Sequence, residues 1–153
     1  MTEALSYTDE WLVFVLDGIS FALPNSQSQK IGLISDLQAE IVFHPIPHLQ
    51  DQQGNAIYIL NSQLKLESSC AEKRKLFLLL YDDDKHTIGL LCDAVDVFFF
   101  SQHHRKILPI PPVMLHSNSP LFAIAVSDTE KPVYLSHAQN IMQYIQRIGR
   151  SYE

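Results

Sequence analysis

Two successive halves of the sequence carry similar short apolar segments in the same order. Because insertions are tolerated at surface turns, unequal distances between the matched segments place the extra residues in loops. The repeat predicts two small units of similar structure. The matches are residues 11–16 (WLVFVL) with 75–80 (KLFLLL) and Ile46-Pro47 with Ile110-Pro111, both 64 positions apart, Phe21-Ala22-Leu23 with Ile88-Gly89-Leu90, 67 apart, and Ile57-Tyr58 with Val133-Tyr134, 76 apart.

The apolar segments of each half have the length and composition of β-strands. Two apolar runs joined by Asp17-Gly18 form the strongest hairpin signal in the sequence. Pro45, Pro47 and the run 107–112 (ILPIPP) indicate extended loops or strand edges, since proline cannot donate to a β-ladder. Each half is therefore predicted to be a small antiparallel barrel or sheet of about five strands. The predicted strands are residues 11–16, 19–24, 31–34, 40–43, 56–60, 76–80, 87–92, 95–100, 121–126 and 133–135.

The last segment of the chain changes from a strand period to a helix period. Ser136 is a suitable N-cap residue, and Gly149 can end the helix. We expect the apolar face of this helix to pack on the body of the protein. The residues of that face are Ala138, Ile141, Met142, Ile145 and Ile148.

Composition excludes several classes of protein. Of the 153 residues, 46% are hydrophobic and 18% are charged, which excludes an intrinsically disordered chain. The formal net charge of −6 removes long-range attraction to nucleic acid or to an anionic membrane. Residues 1–10 lack the runs of a signal peptide and are predicted to form a flexible leader. No apolar run approaches the roughly 20 residues of a membrane helix, so we expect a cytoplasmic protein without membrane insertion.

The sequence contains no recognisable catalytic motif, since GxxxxGK[ST], GxGxxG, GxSxG and HExxH are all absent. Cys70 and Cys92 lie in no CxxC pattern and are expected to be reduced. Cys92 ends an apolar strand, where a buried inert thiol is expected; an enzyme that uses it as a nucleophile is an alternative. Residues 82–84 (DDD) predict a solvated hairpin turn, because the other ligands of a calcium loop are missing. No cofactor is predicted.

Histidine-containing loops leave a second alternative open. His44 and His48 are four residues apart, but Pro45 and Pro47 forbid the helix that would align them as metal ligands. Adjacent residues 103 and 104, both histidines, would point to opposite faces of a strand. Solvated surface histidines are expected. The alternative is a small-ligand or metal-sensing β module, which requires the loops at 44–48 and 103–104 to converge.

Taken together, several segments resemble the CheW-like domain, the adaptor of bacterial chemosensory arrays. The resemblance extends over residues 11–145 in the family's order, and its most specific part is 88–95 (IGLLCDAV), similar to the family's "vGLlVDeV". It implies two intertwined five-stranded barrels of the SH3 or OB type that share a core, with a short C-terminal helix. The segments are WLVFVLDGISFALP at 11–24, HPIPH at 44–48, TIGLLCDAVDVF at 87–98, ILPIPP at 107–112 and VYLSHAQNI at 133–141.

The resemblance also implies an organisation and a function. It predicts one domain over residues 11–148, with barrels at roughly 11–70 and 75–135 that can exchange strands, and a tail at 149–153. Members of the family are scaffolds without catalysis: one surface binds the regulatory domain of the histidine kinase CheA, and an apolar groove between the barrels binds the helical tip of a chemoreceptor. The residues expected at or near partner surfaces are Ile31, Gln53, Gly54, Ile88, Leu90 and Val95.

The chain departs from the family pattern at specific positions. Residues 52–62 resemble "lRGeiiPVvDL", but Gln53 replaces the Arg and cannot supply its charge or its bidentate fork. Residues 28–31 (SQKI) resemble "V-x-E-I", with Lys30 in place of the acid. Asp93 of the most specific segment is expected to hold a turn by side-chain hydrogen bonds. These departures predict a divergent member with its own partners, for example in a type IV pilus chemosensory pathway.

Overall fold

A computed structural model describes residues 10–42, 47–67, 73–81, 86–99, 106–110, 119–127 and 130–150. In these ranges the chain forms twelve β-strands, two short 3-10 turns and one α-helix. The strands are β1 Glu10–Leu16, β2 Ile19–Pro24, β3 Ser28–Leu33, β4 Glu40–Val42, β5 His48–Gln50, β6 Ala56–Tyr58, β7 Leu76–Tyr81, β8 Thr87–Cys92, β9 Ala94–Phe99, β10 Lys106–Pro109, β11 Leu121–Val126 and β12 Val133–Ser136. The 3-10 turns are Asn25–Gln27 and Ile34–Asp36, and the helix α1 is Ala138–Arg150.

The strands form two six-stranded sheets with the same internal order. The first sheet has the order β10-β11-β12-β2-β1-β9, and the second has the order β3-β7-β8-β6-β5-β4. If β1–β6 and β7–β12 are counted as two equal sets, each sheet reads third, first, second, sixth, fifth, fourth. The predicted repeat is therefore confirmed. Each sheet combines the first hairpin of one half with the last four strands of the other half.

Pairs between the two halves give each sheet a mixed character. The pairs β12–β2 and β6–β8 are parallel, and the remaining pairs are antiparallel. The sequence predicted antiparallel sheets, which is correct for the pairs within each half. A parallel pair arises only where strands from different halves meet, since no short turn connects them.

The strand register corrects the repeat at its second segment. Leu16 pairs with Ile19, and the equivalent Leu80 pairs with Ile88, so position 19 corresponds to position 88. Phe21 is then equivalent to Leu90, a distance of 69 rather than the predicted 67. A slide of two residues along a strand keeps every side chain on the same face, so alternating apolar residues cannot reveal it.

Local sequence accounts for the first hairpin and explains two missed strands. Asp17 and Gly18 both have positive φ, 50° and 85°, as the two-residue turn of a tight hairpin requires. β5 and β10 were predicted as loops because of their neighbouring prolines. Pro109 ends β10, which lies at the edge of the first sheet, where a residue without an N–H group is tolerated.

Alternating residues of the strands build three apolar clusters. One lies on the far face of each sheet, and the third, here called the central core, lies between the two sheets and under α1. The central core consists of Leu12, Phe14, Leu16, Phe21, Leu23, Leu60, Leu64, Leu78, Leu80, Leu90, Cys92, Ala138, Ile141, Tyr144 and Ile145. The first-sheet cluster consists of Trp11, Ala22, Ala123, Ala125, Val133 and Leu135. The second-sheet cluster consists of Ile57, Ile59, Phe77, Leu79 and Leu91.

The predicted docking of the C-terminal helix is confirmed, because its apolar face packs into the central core. Its predicted ends need correction. Ser136 belongs to β12, and its hydroxyl donates to the carbonyl oxygen of Pro120 at 2.8 Å instead of capping the helix. The backbone N–H of Ala138 donates to Oε1 of Gln27 at 2.7 Å, so a distant side chain caps the helix. The helix continues to Arg150, through the glycine predicted to end it.

Candidate functional site

Two of the six predicted site residues occupy equivalent places in the two sheets. Ile31 lies on β3 and pairs with Leu78, whereas Val95 lies on β9 and pairs with Phe14. Both strands are edges of their sheets. Since Leu78 and Phe14 belong to the central core, Ile31 and Val95 lie on that same side of each sheet, at its rim.

These two edge strands expose apolar side chains. Ile31 is 45% exposed and Leu33 is 47% exposed, and both lie on the same face of β3. On β9, Val97 is 42% exposed and Val95 is half-buried against the central core. Leu33 and Val97 are equivalent positions of the repeat. An exposed edge strand with apolar side chains is a natural place for another protein to bind, because water is displaced from apolar surface there.

The structure places two other predicted site residues inside the molecule. Leu90 is only 1% exposed and belongs to the central core. Ile88 is half-buried and packs against that cluster. Leu90 pairs with Leu78 and Tyr58 on its two neighbouring strands. Its side chain is therefore enclosed by the second sheet and its neighbours, and it offers no surface to a partner.

Gln53 and Gly54 lie on the turn between β5 and β6. The carboxylate of Asp51 accepts hydrogen bonds from the backbone N–H groups of Gln53 (2.9 Å) and Asn55 (2.8 Å), and its second oxygen accepts from the Asn55 amide at 3.0 Å. Gly54 has a φ of 85°, a conformation that other residues rarely adopt. The turn is thus held rigidly and presents the exposed side chain of Gln53 outwards.

The turn at Gln53 and the edge strand β3 share one polar depression of about 410 Å³. Its floor is Leu79 of β7, and its walls come from β3, from the segment after the second 3-10 turn and from the β5–β6 turn. The structure therefore brings Gln53 close to the strand that carries Ile31. The side chain of Gln53 lines the depression, whereas that of Ile31 lies on the central-core side of the sheet. The lining residues are Gln29, Lys30, Asp36, Leu37, Gln38, Asp51, Gln52, Gln53 and Leu79.

A charged cluster around one buried arginine, which sequence reasoning missed, joins the two sheets. The fully buried guanidinium of Arg74 donates from Nη1 to the carbonyl oxygens of Leu60 and Leu91, the latter at 3.1 Å. Its Nη2 lies 3.2 Å from Asp17 Oδ1 and its Nε lies 3.7 Å from Asp93 Oδ2. These two contacts are ion pairs and lack the alignment of hydrogen bonds.

The same cluster confirms the predicted role of Asp93. Its Oδ2 accepts the backbone N–H of Asp17 at 2.7 Å, and its own N–H donates to the carbonyl oxygen of Val15 at 2.9 Å. Asp93 thereby fixes the β1–β2 turn of the first sheet against the corner between β8 and β9. Arg74 ties this turn to backbone carbonyls of the second sheet.

Comparison with known proteins identifies the fold. No protein-family model matches the sequence, and no curated protein matches it. Among solved structures, the scaffolding protein CheW from Thermoanaerobacter tengcongensis superposes with a TM-score of 0.57 at 16% sequence identity. The match covers 84% of this chain and 88% of that protein. The chain has a CheW-like fold. The mostly β architecture with two pseudo-repeated units and a C-terminal helix is thus confirmed.

Packing within the second sheet of the CheW-like fold explains why position 89, in the segment 88–95, is glycine. A Cβ atom built on Gly89 of β8 would lie 2.7 Å from Cγ1 of Ile57 and 2.9 Å from Cδ2 of Leu79. Both distances are shorter than real carbon contacts, so a side chain at this position would displace the second-sheet cluster. Position 89 is therefore glycine because of packing, since no unusual backbone angle requires it.

In this CheW-like chain the described residues include no group of three or more His, Cys, Asp or Glu side chains arranged to hold a metal ion. His48 is buried, with its ring centroid 5.5 Å from that of Tyr58. Residues 44, 103 and 104, on which the metal-sensing alternative depends, lie outside the described ranges, as do the aspartates at 82–84 and the cysteine at 70. That alternative remains a prediction. In the described ranges, no helix is long and apolar enough to cross a membrane.

The thiol of Cys92 is fully buried in the central core of the CheW-like fold. Burial raises its pKa to about 12, and Arg74 only partly opposes the shift. At pH 8 such a thiol is ionised to about one part in 10,000, whereas nucleophilic attack needs the thiolate. This environment argues against the alternative of an enzyme that uses Cys92.

We expect Cys92 to resist labelling by a thiol reagent in the folded protein. In a Cys70→Ser background, the native protein should react at least ~100-fold more slowly at pH 8 than the same protein unfolded in urea, because both burial and the raised pKa suppress the thiolate. With a disulfide reagent that releases a coloured thiolate on reaction, the absorbance of that product measures the labelling rate. Labelling at the unfolded rate in native buffer would contradict the prediction and revive the nucleophile hypothesis.

Proposed function

We propose that this protein is a non-catalytic adaptor that connects chemoreceptors to a CheA-type histidine kinase. The observation that carries the proposal is the CheW-like fold, which extends over 84% of the chain and matches a scaffolding protein. The exposed apolar edges of β3 and β9 support it, because a scaffold acts through such surfaces. The high pKa of the Cys92 thiol argues against this residue as a nucleophile. The adaptor would act in the cytoplasm and needs no membrane insertion or nucleic acid.

The kinase-binding surface of the proposed adaptor is the edge strand β3. Ile31 and Leu33 supply neighbouring apolar side chains there, and none of the described strands pairs with the outer side of β3. The regulatory domain of a CheA-type kinase is itself CheW-like in the family that this chain resembles. Such a domain would offer a β edge of the same kind, so the two edges could pack side by side.

The receptor-binding surface of the proposed adaptor is the rim formed by β9. The central core lies between the two sheets, and the cavity lined by Phe14, Leu90 and Tyr144 there has a volume of about 10 Å³, far too small for a helix. A helical receptor tip would therefore pack on the rim of that core. Val95 and Val97 lie on the core side of β9 at that rim.

Charge at position 31 should strongly weaken kinase binding without unfolding the protein. We expect Ile31→Glu to weaken binding of the regulatory domain of the same organism's CheA-type kinase at least ~30-fold, the loss of a central apolar contact in an interface. Its free energy of unfolding should change by less than about 1 kcal/mol, because the side chain is exposed. Isothermal titration calorimetry measures the first quantity, and urea denaturation measures the second.

The matched control is Ile41→Glu on β4, the opposite edge of the same sheet. Ile41 is 59% exposed, so the substitution is chemically identical and equally accessible. It should leave kinase binding unchanged. Equal effects of the two substitutions would contradict the assignment to β3. A folded wild-type protein that binds neither the regulatory domain nor a receptor tip would contradict the adaptor function itself.

The departures from the family pattern favour a system with its own partners. Gln53 and Lys30 replace an arginine and an acid of that pattern, and both line the polar depression beside β3. The partners of the proposed adaptor should carry matching changes. A chemosensory pathway that controls type IV pili is one system in which such an adaptor could act.

A further inference from the structure

We infer that the polar depression beside β3 receives an uncharged, amide- or peptide-bearing loop of the kinase regulatory domain. The inference rests on the proposed adaptor function and adds to it the chemistry of the partner surface. The depression has a volume of about 410 Å³, within the range of pockets that hold ligands or inserted side chains. It borders the same edge strand as Ile31 but on the other side of the sheet, since Lys30 pairs with Leu79 and Ile31 pairs with Leu78. A partner that packs along the free edge of β3 would contact both sides of the strand and so cover the depression.

Primary amides dominate the walls of the depression. Four glutamine side chains line it, one from β3, one from the segment after the second 3-10 turn and two from the β5–β6 turn. A primary amide both donates and accepts hydrogen bonds, and it pairs best with another amide or with a peptide group. The four residues are Gln29, Gln38, Gln52 and Gln53.

Three charged side chains line the depression, Lys30, Asp36 and Asp51, and their formal charges sum to −1. The carboxylate of Asp51 is engaged by three hydrogen bonds from its own turn. Lys30 and Asp36 then contribute one charge of each sign, and the Lys30 ammonium lies 5.9 Å from the centre of the Phe77 ring. The charged groups that are not engaged by the turn are thus one of each sign, so a partner surface of one strong charge would meet a like charge as well as an opposite one. The lining therefore fits a neutral partner.

The walls of the depression are also preorganised. The amide of Gln52 donates to Oε1 of Gln38, which links the β5–β6 turn to the segment after the 3-10 turn. Oε1 of Gln29 accepts from the hydroxyl of Thr87, which ties β3 to β8. Side chains that are already ordered lose less conformational entropy when a partner binds, so the depression is suited to a specific contact.

Charge of either sign at position 53 should weaken kinase binding. We expect Gln53→Arg and Gln53→Glu each to reduce the affinity for the kinase regulatory domain about tenfold, because a charge facing a neutral loop is desolvated without a partner. The affinity of the wild-type protein should change less than about threefold between low and physiological salt. Calorimetry with the full chain measures both. Gln63→Arg and Gln63→Glu are the controls, since Gln63 is an exposed glutamine outside the depression.

The outcomes separate this inference from the proposed function. Opposite effects of the two Gln53 variants would identify a charged partner surface and overturn the inference, while the adaptor function would stand. Unchanged affinity in both variants would show that the depression does not contact the kinase. This result would also overturn the inference and leave the adaptor function standing. Weakened binding to a receptor tip alone would assign the depression to the receptor. A wild-type protein that binds no regulatory domain would overturn both proposals.

Discussion

Replacing Arg74 by alanine should lower the free energy of unfolding by about 3–5 kcal/mol, because two buried carbonyls lose their donor and a fully buried side chain leaves a cavity. The substitution removes the counter-ion of Asp17 and Asp93 and the donor for two buried backbone carbonyls, those of Leu60 and Leu91. Each buried carbonyl left without a donor costs about 1–3 kcal/mol. Urea denaturation followed by circular dichroism measures the change.

Two further variants test whether the charge and the hydrogen bonds of Arg74, rather than its volume, cause this loss. Arg74→Met keeps most of the side-chain volume and should still lose at least about 2 kcal/mol, because the two buried carbonyls stay without a donor. Lys106→Ala, on the exposed edge strand β10, should change stability by no more than about 0.5 kcal/mol. If Arg74→Met were as stable as the wild type, the cluster would contribute only packing.

The burial of Arg74 was not predicted from the sequence, because this residue stands between two other basic residues. Lys73 and Lys75 are exposed, whereas Arg74 is buried, and composition alone cannot distinguish the three. Strand alternation supplied a usable signal. Arg74 has the parity of Leu78 and Leu80, which point into the central core, so extending β7 backwards by two residues predicts an inward arginine. The need for acidic partners would then have directed attention to Asp93.

Hairpin chemistry and alternation allowed most of the fold to be predicted. The Asp17-Gly18 turn, the long strands and the amphipathic C-terminal helix follow from local rules, since each depends on neighbours in sequence. β5 and β10 were missed because three or four residues beside prolines carry little strand signal. Their pairing partners supply the stabilisation, and those partners are distant in sequence.

The combination of strands from both halves in each sheet was beyond what the residues alone could decide. An unexchanged arrangement would place the same apolar residues on the same faces, because the two halves have equivalent strands. The helix cap shows the same limit. Gln27 and Ala138 are 111 positions apart, and only the folded chain brings them together, whereas the nearby Ser136 looked like the natural cap.

Depth of burial separates the predicted site residues in a way that alternation cannot. Ile31 and Leu90 have the same orientation, on the core side of the second sheet, and Leu78 stands between them in one cross-strand row. Ile31 is at the edge of the sheet and is exposed, whereas Leu90 is on a strand with neighbours on both sides. Sequence reasoning identifies the face of a strand, but its position within the sheet depends on long-range pairing.

Truncating these two residues should therefore lower the free energy of unfolding by very different amounts. Leu90→Ala should lower the free energy of unfolding by about 2–5 kcal/mol, because it removes buried methyl groups and leaves a cavity beside Leu78. Ile31→Ala should cost less than about 1 kcal/mol, since nearly half of that side chain is already in water. Urea denaturation of both variants measures the difference, and an unchanged denaturant slope would show that the unfolded state is the same.

Kinase binding by the same two variants decides what each position does. In the folded fraction, Leu90→Ala should bind the regulatory domain with wild-type affinity, because the residue is enclosed and contacts no partner. Ile31→Ala should bind more weakly although it is nearly as stable as the wild type. The reverse pattern, a stable Leu90→Ala protein that no longer binds, would show that the central core opens when the partner docks and that Leu90 belongs to the interface. Only a rearrangement of the two sheets could expose that side chain, because the second sheet and α1 enclose it.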